Sequence, residues 1–247
     1  MIVVGVIPAR FGSSRLPAKP LIELKGKTMV QRVYERVNRA SSIDRVVIAT
    51  DDERVERAAR KFGAEVVMTS SDLQSGSDRV AAVAEKIDGN IFVNVQGDEP
   101  LIVPRMIDEG VATVSGDPNV LVGTLIRRIE DSRDLSNPGV VKVVVDRHWD
   151  ALYFSRSPIP FLRDEMARTD WPSKEIYYKH IGLYVFRREF LQEFSKLPPG
   201  RLERAERLEQ LRILEAGYRI RTAVTEHDSI PVDTADDVVR VLALIED

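Results

Sequence analysis

Apolar positions along this 247-residue chain recur with two spacings, one of strands and one of helices. Residues 2–7 form a short β-branched run, as in a strand buried on both faces. Pro8 stops it, because proline donates no hydrogen bond to a sheet ladder. Across residues 28–40, Met29, Val30, Val33, Tyr34 and Val37 fall on one helical stripe, with Thr28 placed to cap it. Strand 46–49 follows, then helix 53–62 ended by Gly63, strand 65–68, helix 78–87 and strand 91–95. This rhythm with short connections predicts an α/β fold, a mostly parallel twisted sheet flanked by helices.

The second half is less regular. Residues 121–126 and 140–145 read as strands around a loop at 131–139. Pro158 and Pro160 confine the extended segment 153–161 to a sheet edge or a non-strand path. Residues 177–186 read as strand, and 204–215 as one helix carrying Leu208, Leu211 and Leu214 on one face. A last strand at 220–224 precedes a helix at 235–245, capped by Asp233-Thr234. There is no repeat, low-complexity tract or linker, so residues 1–247 read as a single domain. Residues around 145–200 are expected to form a smaller excursion from the sheet, a natural place for a dimer contact.

Composition narrows the function classes. A hydrophobic fraction of 43% can supply a substantial core. Lys and Arg number 36 against 39 Asp and Glu, which argues against a general nucleic-acid or membrane binder; local cation clusters must be read for local anions. The lack of cysteine excludes disulfides, thiolate metal sites and a cysteine nucleophile, and fits a reducing compartment. The first apolar run has no basic region ahead of it and charged loop residues directly after it. It reads as neither a signal peptide nor a membrane span, and the expected location is cytoplasmic.

Four stretches can carry chemistry. After the first strand, Arg10, Arg15 and Lys19 lie among Gly12, Ser13 and Ser14; small residues admit an anion and the cations neutralise it, though a loop of solvated cations reads the same way. No Walker motif is present. In Ser75-Gly76-Ser77-Asp78-Arg79, hydroxyls and Arg79 suit a nucleotide, while Asp78 equally suits a helix cap. Gln96-Gly97-Asp98-Glu99-Pro100 releases a carboxylate at the end of a central strand, where a divalent cation can be held; a plain Gly-Asp turn is the alternative. The fourth is dispersed: His180, then Glu209-Gln210, then Asp233. Singly these read as a satisfied histidine, a solvated helix face and a helix cap.

In order along nearly the whole chain, IPARFGSSRLPAKPL, TDDERV, SGSDR, VNVQGDEPLI, YKHIGLY, LEQLRILEAGYRI and VDTADDV resemble the 3-deoxy-manno-octulosonate (Kdo) cytidylyltransferases, the CMP-Kdo synthetases. The opening loop and QGDEP are the most specific parts. Ala18, and Pro231 before Val232, stand where that family usually has glycine. The resemblance implies a Rossmann-like nucleotidyltransferase fold, a homodimer, and magnesium-dependent transfer of CMP from CTP to Kdo for lipopolysaccharide synthesis. It also implies a sugar-binding role for the excursion. By that likeness Pro8, Ala9, Arg10, Ser14, Arg15, Lys19, Ser75 and Arg79 bind the nucleotide. Asp98 and Asp233 hold magnesium, and together with Arg10 and Lys19 they form the catalytic set. Gln96, His180, Glu209 and Gln210 line the sugar pocket.

Three rivals remain at this point. One is a cytidylyltransferase for 8-amino-Kdo or a sialic-type acid. Another is a glycosyltransferase using Asp51-Asp52-Glu53 as its metal motif, and the third is a non-catalytic nucleotide-binding module.

Overall fold

The computed structural model describes residues 1–12, 16–73, 75–165 and 167–245; Ser14 and Arg15 lie outside the described residues. The first half runs β1 (Val3–Pro8), β2 (Glu23–Leu24), β3 (Lys27–Thr28), α1 (Met29–Val37), β4 (Arg45–Thr50), α2 (Glu53–Lys61) and β5 (Glu65–Met68). It continues through α3 (Gly76–Lys86), β6 (Ile91–Asn94) and α4 (Pro104–Ser115). The second half runs β7 (Val122–Ile129), α5 (Ser132–Ser136), β8 (Lys142–Val145), β9 (Ala151–Ser155), α6 (Trp171–Lys174), β10 (Tyr177–Arg187) and α7 (Arg188–Phe194). It closes with α8 (Arg201–Glu206), α9 (Gln210–Glu215), β11 (Arg221–Val224) and α10 (Ala235–Leu244).

Seven strands form the main sheet in the order β5-β4-β1-β6-β10-β7-β11 among the described residues. All neighbouring pairs are parallel except those of β10, which runs antiparallel to β6 and β7. The mostly parallel sheet is therefore as expected, with one reversed strand inserted near its middle. β8 pairs with the start of β10, and β9 pairs with β8, so the segment expected to leave the sheet begins as an extension of it.

Alternate residues of β1 enter two cores. Val3 and Ile7 pack with Val30 and Val33 of α1 and Ile107 of α4, whereas Val4 and Val6 pack with Val80 and Val83 of α3 and Phe190 of α7. Burial on both faces is what a continuous β-branched run requires. A smaller cluster joins α10 to the β2–β3 hairpin: Val241 and Ile245 meet Leu24, Met29 and Val232.

Several local expectations are corrected. Ser75, not Asp78, is the N-cap of α3; Asp78 is the third helical residue and accepts from Ser75 N, completing a capping box. Thr234 rather than Asp233 caps α10 in the same way. The loop at 131–139 contains the one-turn helix α5, capped by Asp131. The single helix at 204–215 is two helices, α8 and α9, separated by Arg207 in the left-handed region (φ 54°). Leu208 and Leu211 are buried in the same core, so the leucine spacing spans the break.

Candidate active site

β1 and β6 are adjacent and parallel, with Val6 opposite Asn94. Their carboxyl ends therefore deliver Pro8-Ala9-Arg10 and Gln96-Gly97-Asp98 to one edge, where open α/β sheets bind ligands. Gly97 makes this approach possible: a Cβ there would lie 2.5 Å from the Pro8 carbonyl oxygen. Between the strand ends is a cleft of about 300 Å³, lined by Pro8, Ala9, Arg10, Lys19, Ser75 and Arg79 of the expected nucleotide set, and by Gln96, Asp98 and Asp233. Ala9 is buried and Arg10 is exposed at the rim.

Asp98 and Asp233 meet on one cation, the ammonium of Lys19. Lys19 Nζ donates to Asp98 Oδ2 at 2.5 Å, to Asp233 Oδ1 at 3.0 Å and to the Val232 carbonyl at 2.9 Å. Two features built elsewhere bring them together. Val232 N donates to the Asp98 carbonyl at 2.9 Å, while the buried Val232 side chain is clamped between α10 and the hairpin. Lys19 opens a one-turn 3-10 helix, Lys19–Leu21, behind Ala18, which has φ 55°. Glycine adopts that left-handed conformation without the strain an alanine bears there. Burial disfavours the charged ammonium, but Asp98 and Asp233 outweigh it and raise the Lys19 pKa above its ordinary value.

The same pair tests the expected magnesium. Among the described residues there is no group of three or more His, Cys, Asp or Glu that could hold a metal ion. Two converging carboxylates around a cation nevertheless fit magnesium, which prefers oxygen donors and takes few protein ligands when substrate phosphates supply others.

Arg79 is 2% exposed and fixed from behind. It donates to Asp51 at 2.7 Å, to the Ser70 carbonyl at 3.2 Å and to the Thr69 hydroxyl. Asp52 caps α2 and pairs with Arg54, which holds its carboxyl down at about 2, and Glu53 pairs with Arg57. Asp51 Oδ2 braces Arg79, so in this structure the Asp51-Asp52-Glu53 run serves helix capping and ion pairing.

A larger cavity of about 830 Å³ shares Asp233 with the cleft and is lined by His180, Lys179, Glu99 and Ser229, among others. His180 Nε2 lies 2.9 Å from Thr124 Oγ1, which is also 2.7 Å from the Leu183 carbonyl oxygen. With the Thr124 proton on the Leu183 carbonyl, the matching His180 tautomer donates through Nε2; with it on the ring, His180 accepts there. Burial depresses its pKa to about 3, so the ring is a neutral hydrogen-bonding group. Glu99 is 6% exposed; burial, reinforced by the Asp98 charge, pushes its carboxyl up to about 7. Lys179 donates to Asp228 at 2.8 Å and to Asp134 at 3.4 Å.

Glu209 and Gln210 do not line the His180 cavity. Glu209 is the N-cap residue of α9 and faces a separate recess with Pro199, Glu203, Arg204 and Arg207; Gln210 is 3% exposed. The reading of this pair as a solvated mid-helix face is thus corrected, because the break at Arg207 turns α9 inward. Glu209 is instead connected to the cleft through Ser77, which donates to its Oε1 at 2.7 Å. Burial raises the Glu209 pKa despite that bond.

Glu99 and Asn94 belong to this region and received no role from sequence reasoning, and the Ser77 hydroxyl, expected with Ser75 to suit a nucleotide, is turned to Glu209 instead. The available signal for Glu99 and Asn94 was a polar residue within or beside an otherwise apolar or motif-bearing run: Asn94 ends IFVN and Glu99 lies in QGDEP.

Comparison with known proteins gives consistent results. A family model described as Cytidylyltransferase matches residues 4–220. The 3-deoxy-manno-octulosonate cytidylyltransferase of Solibacter usitatus is 54% identical over 244 residues, covering 99% of this chain and 94% of its own. The protein of the same name from Geobacter sulfurreducens is 53% identical over 246 residues, covering 98% of each. A solved structure described as CMP:2-keto-3-deoxy-manno-octonic acid synthetase complexed with CTP is similar with a TM-score of 0.92 and 45% identity, covering 99% of this chain and 98% of that one.

Proposed function

This chain belongs to the 3-deoxy-manno-octulosonate cytidylyltransferase family, and on that premise we propose that it transfers CMP from CTP to Kdo, releasing pyrophosphate. The observation that carries the reading is the meeting of Asp98 and Asp233 on the Lys19 ammonium, inside a cleft walled by the first loop and the end of β6. In the reaction the sugar's anomeric hydroxyl attacks the α-phosphorus, a P–O bond forms, and the bond to the pyrophosphate oxygen breaks. Little covalent work falls to the protein, so catalysis is positioning and charge stabilisation.

Each group has a matching task. The backbone at Pro8 and Ala9 lies against the cytosine, with Ser75 at the cleft wall. Arg79, braced by Asp51, presents a fixed guanidinium to the nucleotide. Arg10 at the rim and Lys19 within neutralise triphosphate oxygens, the arginine through its planar fork. Gln96 and the neutral His180 serve the sugar, His180 through hydrogen bonding rather than charge, and Glu209 and Gln210, which lie outside the His180 cavity, serve it from the Ser77 side of the cleft. Asp98 and Asp233 are the residues that would hold magnesium, and the bound ion would supply Lewis acidity at the phosphate oxygens. Lipopolysaccharide synthesis is the role this product implies.

We further propose that the chain works as a homodimer in the cytoplasm. Among the described residues no helix is long and apolar enough to cross a membrane. A pyrophosphate-release assay with CTP, magnesium and a panel of sugar acids tests the reading. Pyrophosphate formed with Kdo supports it. Turnover restricted to 8-amino-Kdo or a sialic-type acid would reassign the substrate, and release of nucleoside diphosphate or no release would overturn it.

A further inference from the structure

Asn94 is a fully buried amide at the end of β6, the strand next to β1. A polar side chain in such a position costs stability unless its hydrogen bonds are made. Its partners form one chain of consistent direction. Gln96 Nε2 donates to Asn94 Oδ1 at 3.4 Å, Asn94 Nδ2 donates to Ser77 Oγ at 3.3 Å, and Ser77 donates to Glu209 Oε1 at 2.7 Å. An amide NH₂ can only donate and a carboxylate can only accept. The Ser77 hydroxyl therefore accepts from Asn94 and has its single proton left for Glu209. Gly76 leaves room for this arrangement, since a Cβ there would lie 3.2 Å from Asn94 Nδ2.

We propose that Asn94 and Ser77 are positioning residues that orient Gln96 and Glu209, on two different elements, toward one sugar substrate. This rests on the assignment of Gln96 and Glu209 to sugar recognition. Ser77 is 1% exposed and does not itself line the cleft, so it reaches a substrate only through the groups it orients, Gln96 and Glu209.

The test is steady-state pyrophosphate release by Ser77→Ala, Ser77→Thr and Asn94→Asp, with CTP binding measured by calorimetry on each. Ser77→Ala is expected to raise the KM for Kdo roughly tenfold or more, the effect of losing one hydrogen bond to a charged group, with CTP affinity within about twofold of wild type. Ser77→Thr keeps the hydroxyl and restores the sugar KM. Asn94→Asp is nearly isosteric but draws the Ser77 proton to itself, so it reproduces the Ser77→Ala phenotype; Ser77→Cys, close in size with only a weak donor, serves where either variant yields no soluble protein. A sugar KM within twofold of wild type in Ser77→Ala or Asn94→Asp overturns the inference, as does an equal rise in both substrates' KM. A wild-type enzyme inactive with Kdo would instead overturn the functional reading.

Discussion

Replacing Lys19 by methionine removes the ammonium that, among the described residues, Asp98 and Asp233 share, while keeping most of the side chain's bulk. With bonds of 2.5 and 3.0 Å to the same nitrogen, the two carboxylate oxygens are at most about 5.5 Å apart. At an effective dielectric of about 20, like charges at that distance repel by roughly 3 kcal/mol. Asp233 is 37% exposed and Asp98 26%, so solvent screening reduces this to about 1–2 kcal/mol. In a chain of this size that lowers Tm by roughly 3–6 °C. Added magnesium, binding between the carboxylates, should recover most of the loss in Lys19→Met and stabilise wild type less. The pH dependence has a fixed sign. Lys19 has a raised pKa in the fold, so its contribution is present below the unfolded value near 10.4 and disappears as pH climbs through the folded value. The Tm gap between wild type and variant should therefore close at strongly alkaline pH. Differential scanning fluorimetry with and without magnesium at several pH values measures all of this. A Lys19→Met protein with wild-type Tm, or one indifferent to magnesium, would refute the reasoning.

Other expectations can be checked separately. Ala18→Gly relieves a left-handed alanine at a cost in glycine's backbone entropy, a net gain of roughly 0.5 kcal/mol that urea denaturation would resolve; a loss would contradict the strain. His180 stays neutral to about pH 3 in the fold, whereas an unfolded imidazole protonates near pH 6.5. Between those values the unfolded chain binds the extra proton, so lowering pH destabilises the protein through this residue, by at most about 1.4 kcal/mol per unit. His180→Asn should flatten the acid limb of stability against pH, and unchanged limbs would argue against a neutral ring. Asp98→Asn should lower turnover by roughly two orders of magnitude, the scale of losing one electrostatic stabiliser; near-normal turnover in folded enzyme would remove Asp98 from the catalytic set.

What could be read in the sequence was mostly local. Thr28 and Thr234 cap their helices because a short hydroxyl followed by a helical stripe leaves few other outcomes, and strand 65–68 is bounded by turn residues on both sides. The reversed strand β10 was legible as a strand, but its insertion between β6 and β7 depends on pairing between distant segments. Arg207 broke an expected helix because a single left-handed residue leaves the leucine spacing nearly intact, and the break turned Gln210 from solvent into the core. The charged members of the site could be named from their motifs. Their connections could not, since the bond from Ser77 to Glu209 and the bracing of Arg79 by Asp51 are facts of packing.

The most direct test of the account is manganese binding in the presence of CTP, followed by the loss of the free-ion EPR signal, for wild type, Asp98→Asn and Asp233→Asn. A shared cation site predicts that wild type binds and that each single variant loses at least tenfold in affinity while remaining folded. Undiminished manganese affinity in either variant would contradict the claim that these two carboxylates hold one ion.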